Sequence, residues 1–353
     1  MSGALEPSRH KWFKANILER CRLQKKLSSC PRAAGSDLEP SAESDAASQP
    51  DAEPEEEEEA AADEPDGDQE PAKEQDLQAQ LDAMMTVLSS SAEVGQLVLR
   101  NTDLTDDHLL SLAGALKSSR SEVTLLNLNL NLIGPYGAHI LLDVLRAKPG
   151  VKGLHLFGNR LRDHGALALL MGVAELQEQT ARAAAAAAVQ LHAELGAVLQ
   201  PPPGWSPLRA FTLLELDVGG NGLGSEGVRA LAWFMRHHSQ LQYLGLAQSS
   251  GADLAAWREL FHSMRGSASL AHVILDQNRL GDPGVRLLAD VLRENAGLRE
   301  LDLDGNDISD VGGNDIMGAL LCRTQAPLRH LSLDENNISA GLMSRIQEEV
   351  KCK

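Results

Sequence analysis

Aromatic residues make up only 3% of this chain of 353 residues, and cysteine occurs only four times. A single large globular core usually draws on bulky aromatic side chains, so their scarcity favours a core of many thin aliphatic layers. The cysteines, Cys21, Cys30, Cys322 and Cys352, show neither C-x-x-C nor metal-ligand spacing. The sequence therefore predicts no metal centre, no disulfide framework and a reducing environment.

Long apolar stretches are also missing, and so is a basic body. No apolar run approaches the roughly 20 residues of a membrane-spanning helix, and the N-terminus lacks the apolar segment of a signal peptide. The formal net charge is −18, of which residues 1–33 contribute +6, residues 34–76 contribute −17 and the rest of the chain −7. Nucleic acid binding needs a basic surface. We therefore expect a cytoplasmic protein that has no transmembrane segment and does not bind nucleic acid.

The first 76 residues divide into two segments of opposite charge. Residues 1–33 form a basic segment, and the mixture of apolar and basic side chains in residues 9–27 permits an amphipathic helix. Such a helix would suit weak contact with an acidic membrane surface, with calmodulin or with a groove on a partner. The other interpretation is a solvated tail, because an isolated helix of this length is marginal in water. Residues 34–76, rich in Glu, Asp, Pro, Ala and Ser, are predicted to be a disordered acidic linker.

Residues 77–353 contain one pattern of leucine and asparagine eight times. In its clearest copy, LRELDLDGNDISDVG, leucine stands at positions 1, 4 and 6, asparagine at position 9 and isoleucine at position 11. Successive copies start 29, 28, 62, 28, 29, 28 and 30 residues apart, a period typical of leucine-rich repeats. The starting residues are Val94, Val123, Val151, Leu213, Leu241, Leu270, Leu298 and Leu328.

Each repeat is predicted to form a short strand, a tight turn and a helix. Because a helix is wider than a strand, the repeats should stack into an α/β solenoid, a curved horseshoe with parallel strands inside and helices outside. The asparagine at position 9 should bond the backbone of neighbouring turns. In the fifth repeat Ser249 and Gly251 replace the asparagine and the aliphatic residue, which predicts an irregular turn. An apolar stripe in Asp76–Ser90 predicts a helix that covers the open end of the first repeat.

One interval, between Val151 and Leu213, is about 34 residues longer than a repeat. Ala166–Leu199 contains few helix-breaking residues and includes the run Ala183–Ala188, so it predicts a helix of up to about 34 residues. We predict a helical insertion near residues 177–210 that projects beyond the helical layer or folds back over it. It is either a binding element or an alanine expansion without a role.

The pattern resembles the ribonuclease-inhibitor-like class of leucine-rich repeat proteins over residues 94–350. That class includes the repeat domains of nucleotide-binding innate-immune receptors, the Ran GTPase-activating protein and the tropomodulin tail. The resemblance implies a protein-interaction scaffold or adaptor rather than an enzyme. It also suggests two alternatives, which are a GTPase-activating or GTPase-regulating protein, with Arg100 near the rim, and a cytoskeletal adaptor of the tropomodulin type. The phosphate-binding G-x-x-x-x-G-K-[ST] loop of the receptors is absent.

Two short motifs imitate cofactor or metal sites. Gly222, Gly224 and Gly227 spell G-x-G-x-x-G, and Asp302, Asp304 and Asn306 match part of a calcium-binding loop. In both motifs the repeat pattern accounts for the spacing, so we predict no cofactor, no metal and no catalytic residues.

Side chains at positions 3, 5 and 7 of each repeat should point away from the core, onto the concave face. This face becomes acidic towards the C-terminus, which predicts a protein partner with a basic segment. The alternative is a face that is merely solvated. We expect its carboxylates to be unpaired, with Arg299 and Arg329 relieving part of their repulsion. The candidate partner-binding residues are Phe157, Glu215, Asp217, Tyr243, Asp276, Glu300, Asp302, Asp304 and Asp334.

Overall fold

The computed structural model describes residues 70–195, 210–323 and 326–352, within which strands and helices alternate. The helices are α1 Glu70–Ser90, α2 Asp106–Ser118, α3 Pro135–Ala147, α4 Arg162–Leu195, α5 Ser225–His237, α6 Leu254–Arg265, α7 Gly281–Glu294, α8 Asp310–Cys322 and α9 Ala340–Cys352. The strands are β1 Gln96–Val98, β2 Leu125–Asn127, β3 Gly153–His155, β4 Glu215–Asp217, β5 Tyr243–Gly245, β6 His272–Ile274, β7 Glu300–Asp302 and β8 His330–Ser332.

The predictions for the N-terminal segments concern residues that are mostly not described. The basic segment 1–33, including residues 9–27, lies outside the described residues, and so does the linker up to residue 69. Helix α1 begins at Glu70, so the last part of the predicted linker is helical and the capping helix is longer than predicted. Leu81 and Leu88 of this helix are buried in the core, which it shares with the first repeat.

All eight predicted strands are present, each beginning two residues after the start of its repeat. They form one parallel sheet in the order of the sequence, β1 to β8. Neighbouring strands pair in register, so that position 4 of one repeat lies beside position 4 of the next, as Leu301 does beside Leu331. Packed helices lie about 8–10 Å apart and parallel strands about 4.8 Å apart, so the stack curves with its strands inside. The predicted α/β solenoid is confirmed.

The core consists of the aliphatic side chains at positions 1, 4 and 6 together with one face of each helix. In the seventh repeat Leu298, Leu301 and Leu303 are completely buried. Fully burying one leucine contributes about 1.5–3 kcal/mol, so each repeat is stabilised mainly by layers of this kind. This core runs without interruption from the capping helix to Ile346 in α9.

The asparagines at position 9 form a ladder that joins the turns. The Nδ2 atom of Asn159 donates to the carbonyl oxygens of Leu128 and Leu156, both at 2.9 Å, while its Oδ1 accepts from the amide of Ile133 at 3.0 Å. The side chain must donate and accept at once, which explains why asparagine rather than aspartate is used. The predicted role of this residue is confirmed, and its other members are Asn131, Asn221, Asn278, Asn306 and Asn336.

A second ladder, which the sequence analysis missed, joins the helix N-termini. The carboxylate of Asp163 accepts from the amides of Gly224 at 2.7 Å and Gly227 at 3.0 Å in the next repeat. A β-carbon at Gly227 would come within 2.6 Å of that carboxylate oxygen, which explains the glycine at position 15. The G-x-G-x-x-G motif therefore serves contacts between repeats. Asp282 makes the same contacts to Ser309 and Gly312.

The fifth repeat is irregular only after its turn. Gln248, at position 8, has φ +56°, a left-handed value shared by the residue at position 8 of every repeat. Beyond it Gly251 forms an isolated parallel bridge with Gly224, and a β-carbon at Gly251 would lie 3.1 Å from the carbonyl oxygen of Leu223. The prediction of an irregular turn is therefore wrong, and Gly251 instead marks a close approach of two backbones.

Helix α4 spans 34 residues, or roughly 50 Å, so the predicted long helix is confirmed. In its first half Leu169, Leu170 and Leu176 are buried against the core. From Ala181 to Val189 the side chains are exposed or half-exposed, and Val189 is 70% exposed. The second half therefore projects from the solenoid. Residues 196–209, the rest of the predicted insertion, lie outside the described residues.

Candidate strand-face binding site

We call the side chains at positions 3, 5 and 7 of the eight repeats the strand face. In repeats 1 to 3 its polar side chains are mainly neutral, such as Asn127 and Asn129. In repeats 4 to 8 it carries seven carboxylates, and the strand face as a whole has one Lys or Arg, Arg100. These carboxylates belong to Glu215, Asp217, Asp276, Glu300, Asp302, Asp304 and Asp334.

Carboxylates at position 7 have a structural role. The Oδ1 atom of Asp276 accepts from the amide of Asp304 at 3.0 Å, and Asp304 in turn accepts from the amide of Asp334 at 2.8 Å. In the second repeat Asn129 accepts from the amide of Phe157 at 2.8 Å, which is the same contact. An acceptor at this position can bond the amide of the next repeat whether it is charged or neutral, and Phe157, Gly219 and Ala247 show that the fold also forms without one.

Asp302, at position 5, is held between two histidines from the neighbouring strands. Its Oδ2 lies 3.3 Å from Nε2 of His272, and its Oδ1 lies 3.4 Å from Nε2 of His330. Burial alone would raise the pKa of Asp302, but hydrogen bonds from the two histidines and their positive charge lower it to about 2. The hydrogen bond to Asp302 also raises the pKa of His330, although burial opposes this shift. Asp302 is therefore ionised throughout the physiological pH range.

Asp304 lies in a different environment, although it is only two residues away. Burial raises its pKa, and the nearby charges of Asp334 and Asp302 add to this shift. Hydrogen bonds from the hydroxyl of Ser332, at 2.6 Å, and from the amide of Asp334 act in the opposite direction. The charge of Asp304 is thus disfavoured by the fold, whereas that of Asp302 is favoured.

The expectation that these carboxylates are unpaired, with arginines at position 2 relieving them, is wrong. The guanidinium of Arg299 donates to the carbonyl oxygens of Ala296 and Leu298. The partners of Asp302 are histidines, and those of Asp276 and Asp304 are backbone amides and a hydroxyl. The repulsion among these carboxylates is therefore offset by the histidines at position 3, and by the backbone amides and the hydroxyl group at the ends of the strands.

Tyr243 is the centre of the strand face. Its hydroxyl donates to Oδ2 of Asp217 at 3.3 Å, and its ring lies 5.6 Å from that of His155 and 5.1 Å from that of His272. His155 is also 3.3 Å from Oε2 of Glu215. Aromatic rings and carboxylates thus lie side by side along the strand face from the third repeat to the eighth.

Small residues make room for these larger side chains. A β-carbon at Gly245 would lie 2.3 Å from Oδ1 of Asp217, and one at Gly219 would lie 3.2 Å from the ring of Phe157. Phe157, Asp217 and Tyr243 are accordingly buried rather than fully solvated, contrary to the expectation for this face.

The structure thus places the nine candidate residues in three groups. Glu215 and Asp217 lie around Tyr243, and the ring of Phe157 packs beside them against Gly219. Glu300 and Asp302 lie around His272. Asp276, Asp304 and Asp334 form the column at position 7. The sequence analysis did not include His155, His272 or His330 among the candidates. The sequence did contain a signal for these histidines. Each lies at position 3 or 5 of its repeat, diagonally opposite an acidic residue at the other of these two positions in an adjacent repeat.

Residues 70–195, 210–323 and 326–352 hold no group of three or more His, Cys, Asp or Glu side chains placed to bind a metal ion. In the same ranges, no helix has both the length and the apolar character to cross a membrane.

Comparison with known proteins agrees with the fold. A family model described as leucine-rich repeat matches residues 209–232 and 294–317. The ribonuclease inhibitor of Sus scrofa is 28% identical over 256 residues, covering 72% of this chain and 54% of that protein. The NACHT, LRR and PYD domains-containing protein 5 of Homo sapiens is 28% identical over 217 residues, covering 60% of this chain and 17% of that protein.

A chain in the crystal structure of the Rad7 and Elc1 complex in yeast aligns with a TM-score of 0.40 at 15% identity, covering 76% of this chain and 70% of that one. The present chain spans about half of the pig inhibitor and about a sixth of the human protein. The eight parallel strands, the asparagine ladder and the two matched segments show that this chain folds as a leucine-rich-repeat solenoid, and its sequence is similar to that of ribonuclease inhibitors.

Proposed function

We propose that this protein is a non-enzymatic scaffold whose strand face in repeats 4 to 8 binds a basic segment of a protein partner. The observation that carries the proposal is the concentration of seven carboxylates on that face, where repeats 4 to 8 contribute no lysine or arginine. Complementary charge speeds the encounter between partners and excludes those of the wrong sign. Neighbouring strands are about 4.8 Å apart, well inside a screening length of roughly 8 Å, so the carboxylates act together.

Accessible and buried carboxylates would contribute differently to such binding. The side chains of Glu215 and Glu300 are 33% and 27% exposed, and Asp334 is exposed in the turn that follows the last strand. These groups are within reach of an incoming guanidinium or ammonium group. Asp217 and Asp302 are buried, so they contribute mainly through the electrostatic potential of the face.

The similar proteins described above support the proposal in general terms. The pig relative is named an inhibitor of ribonuclease, which is a role exercised on another protein. Because the match covers about half of that relative, its particular target is not transferred to this chain.

The proposal is tested by removing charge from the strand face without removing its hydrogen bonds. Replacing Asp276, Asp304 and Asp334 together by Asn retains an acceptor at position 7, as Asn129 shows in the second repeat. We expect this variant to bind a rhodamine-labelled decaarginine peptide at least tenfold more weakly at pH 7.5, as measured by fluorescence anisotropy with the full chain.

A matched control removes three exposed carboxylates from the helical side. Asp143→Asn, Asp290→Asn and Glu348→Gln change the net charge by the same amount. We expect this control to bind the peptide within twofold of the original protein. An equal loss in both variants would show that only net charge matters and would contradict the proposal, as would full binding by the strand-face variant.

The alternatives suggested by family resemblance, GTPase regulation and cytoskeletal attachment, are not favoured by any arrangement among the described residues. A proposed contact of residues 9–27 with a membrane or calmodulin remains a prediction from sequence.

A further inference from the structure

A histidine covers one oxygen of the buried carboxylate in the strand face. The imidazole of His330, on β8, lies 3.4 Å from Oδ1 of Asp302, and its side chain is 55% exposed while that of Asp302 is only 4% exposed. The other oxygen of Asp302 faces His272. His330 therefore stands between the solvent and a permanently charged carboxylate, in the position that a cationic group of a partner would approach.

We propose that His330 gates the strand face by pH, so that its protonated form offsets the charge of Asp302 and repels a basic partner, and its neutral form admits that partner. The inference rests on the proposed function, since it concerns the regulation of the same surface. Histidine is the side chain that ordinarily changes charge near neutral pH, and a half-exposed imidazole exchanges its proton readily with solvent.

The charged groups around His330 determine the direction of the change. From β7 it faces Asp302 first, then Glu300 and Asp304, and on the far side of Asp302 lies His272 from β6. Asp334 follows on its own strand and is bonded through its amide to Asp304. The carboxylates hold the proton on His330 to a pH above its usual range, so the proton is lost as pH rises through and above 6.5.

Loss of this proton makes the face more negative by one unit beside the buried carboxylate of Asp302. A positive group on His330 repels an incoming guanidinium at close range, and a neutral imidazole does not. One unit charge at such a distance near a protein surface corresponds to a change in affinity of roughly fivefold to tenfold. The geometry points to weaker binding of a basic segment at pH 5.5 than at pH 8.5.

The experiment measures the affinity of the full chain for rhodamine-labelled decaarginine from pH 5.5 to pH 8.5 at constant ionic strength. Guanidinium groups stay charged over this range, so the probe itself does not titrate. We expect the original protein to bind roughly fivefold more tightly at the upper end. His330→Gln should show a flat profile, with tight binding already at pH 5.5, while its circular dichroism spectrum reports that it is folded.

A matched control is His139→Gln, which removes an exposed histidine from helix α3 on the other side of the molecule. We expect its profile to follow that of the original protein. A pH-independent profile in the original protein, or a pH dependence that persists in His330→Gln, would overturn the gating inference alone. Absence of peptide binding at every pH would overturn the proposed function and this inference with it.

Discussion

The strand face of repeats 1 to 3 and that of repeats 6 to 8 are built on the same backbone but present different chemistry. At position 7, Asn129 and Asp276 both accept the amide of the following repeat, one with a neutral group and the other with a charged group. The hydrogen bond at this position therefore needs an acceptor but not a charge. In three successive repeats at the C-terminal end this acceptor is also charged, and that additional charge is what the proposed binding of a basic partner would use.

The helical sides of the two regions differ as well. Both regions expose apolar side chains on their helices, namely Leu110, Tyr136, Leu167 and Met171 in repeats 1 to 3 and Leu254, Val311 and Leu321 in repeats 4 to 8. In repeats 4 to 8 the described helices are joined by ion pairs between neighbouring repeats, Arg229 with Asp253, Arg265 with Glu294 and Arg286 with Asp315. Exposed pairs of this kind contribute about 0–1 kcal/mol each, so they do not make the C-terminal region much more stable. The core and the asparagine ladder, which the two regions share, set stability.

The largest expected effect tests the core and the asparagine ladder that the two regions share. Asn159→Ala in the third repeat and Asn306→Ala in the seventh each remove a buried side chain that both donates to and accepts from the turn of the preceding repeat. Unpaired buried polar groups cost about 1–3 kcal/mol each, so we expect both variants to lose about 3 kcal/mol or more in urea unfolding. Asn314→Ala, on an exposed helical surface, should lose less than about 0.5 kcal/mol. Unequal losses at the two ladder positions would show that the regions are not equivalent.

The next effect concerns charge in the C-terminal region and has opposite signs at two neighbouring aspartates. The pKa of Asp302 is lowered from 3.8 to about 2, so its charge stabilises the folded state above pH 3.8 and this contribution is lost as pH falls through about 2. Asp302→Asn should therefore cost on the order of 2 kcal/mol at pH 7. Asp304→Asn removes a charge that the fold disfavours, because the pKa of Asp304 is raised, and it retains the acceptor. It should leave stability equal or slightly higher at pH 7.

Urea unfolding of both variants at pH 7 checks this pair. If Asp304→Asn destabilised the protein as much as Asp302→Asn does, position 7 would require a charge, and the comparison with Asn129 would fail. At a pH below 3.8 the penalty from Asp304 disappears, so the small gain of the Asp304→Asn variant should disappear with it.

The strands and turns could be predicted from the sequence because they depend on local periodicity. Leucines at positions 1, 4 and 6 and asparagine at position 9 located all eight strands and the turn bonds. The site depends instead on which side chains meet between repeats. His330 reaches Asp302 only because strands pair in register and positions 3 and 5 lie diagonally opposite, which a single repeat does not reveal.

The burial of the cationic side chains of Lys148 and Arg323 was not predicted from the sequence for the same reason. The Nζ atom of Lys148 donates to the carbonyl oxygens of Ser119 and Ser121, and the guanidinium of Arg323 donates to those of Leu292 and Leu298. Lys148 and Arg323 each follow the last residue of a helix, where the carbonyl groups of the preceding repeat point towards them. In the sequence both residues look like solvated charges.

The smallest expected effect concerns the long helix that separates the two regions. Helix α4 begins as the helix of the third repeat, with Ala174 buried in the core, and ends as a projecting rod in which Ala185 is exposed. Glycine costs about 1 kcal/mol relative to alanine inside a helix, and losing a buried methyl group adds about 0.8 kcal/mol. Ala174→Gly should therefore lower the free energy of unfolding by about 1.5–2 kcal/mol. Ala185→Gly should leave it within about 0.3 kcal/mol, because the rod can fray without exposing the core. If Ala185→Gly cost as much as Ala174→Gly, the rod would pack on the solenoid and would link repeats 1 to 3 rigidly to repeats 4 to 8.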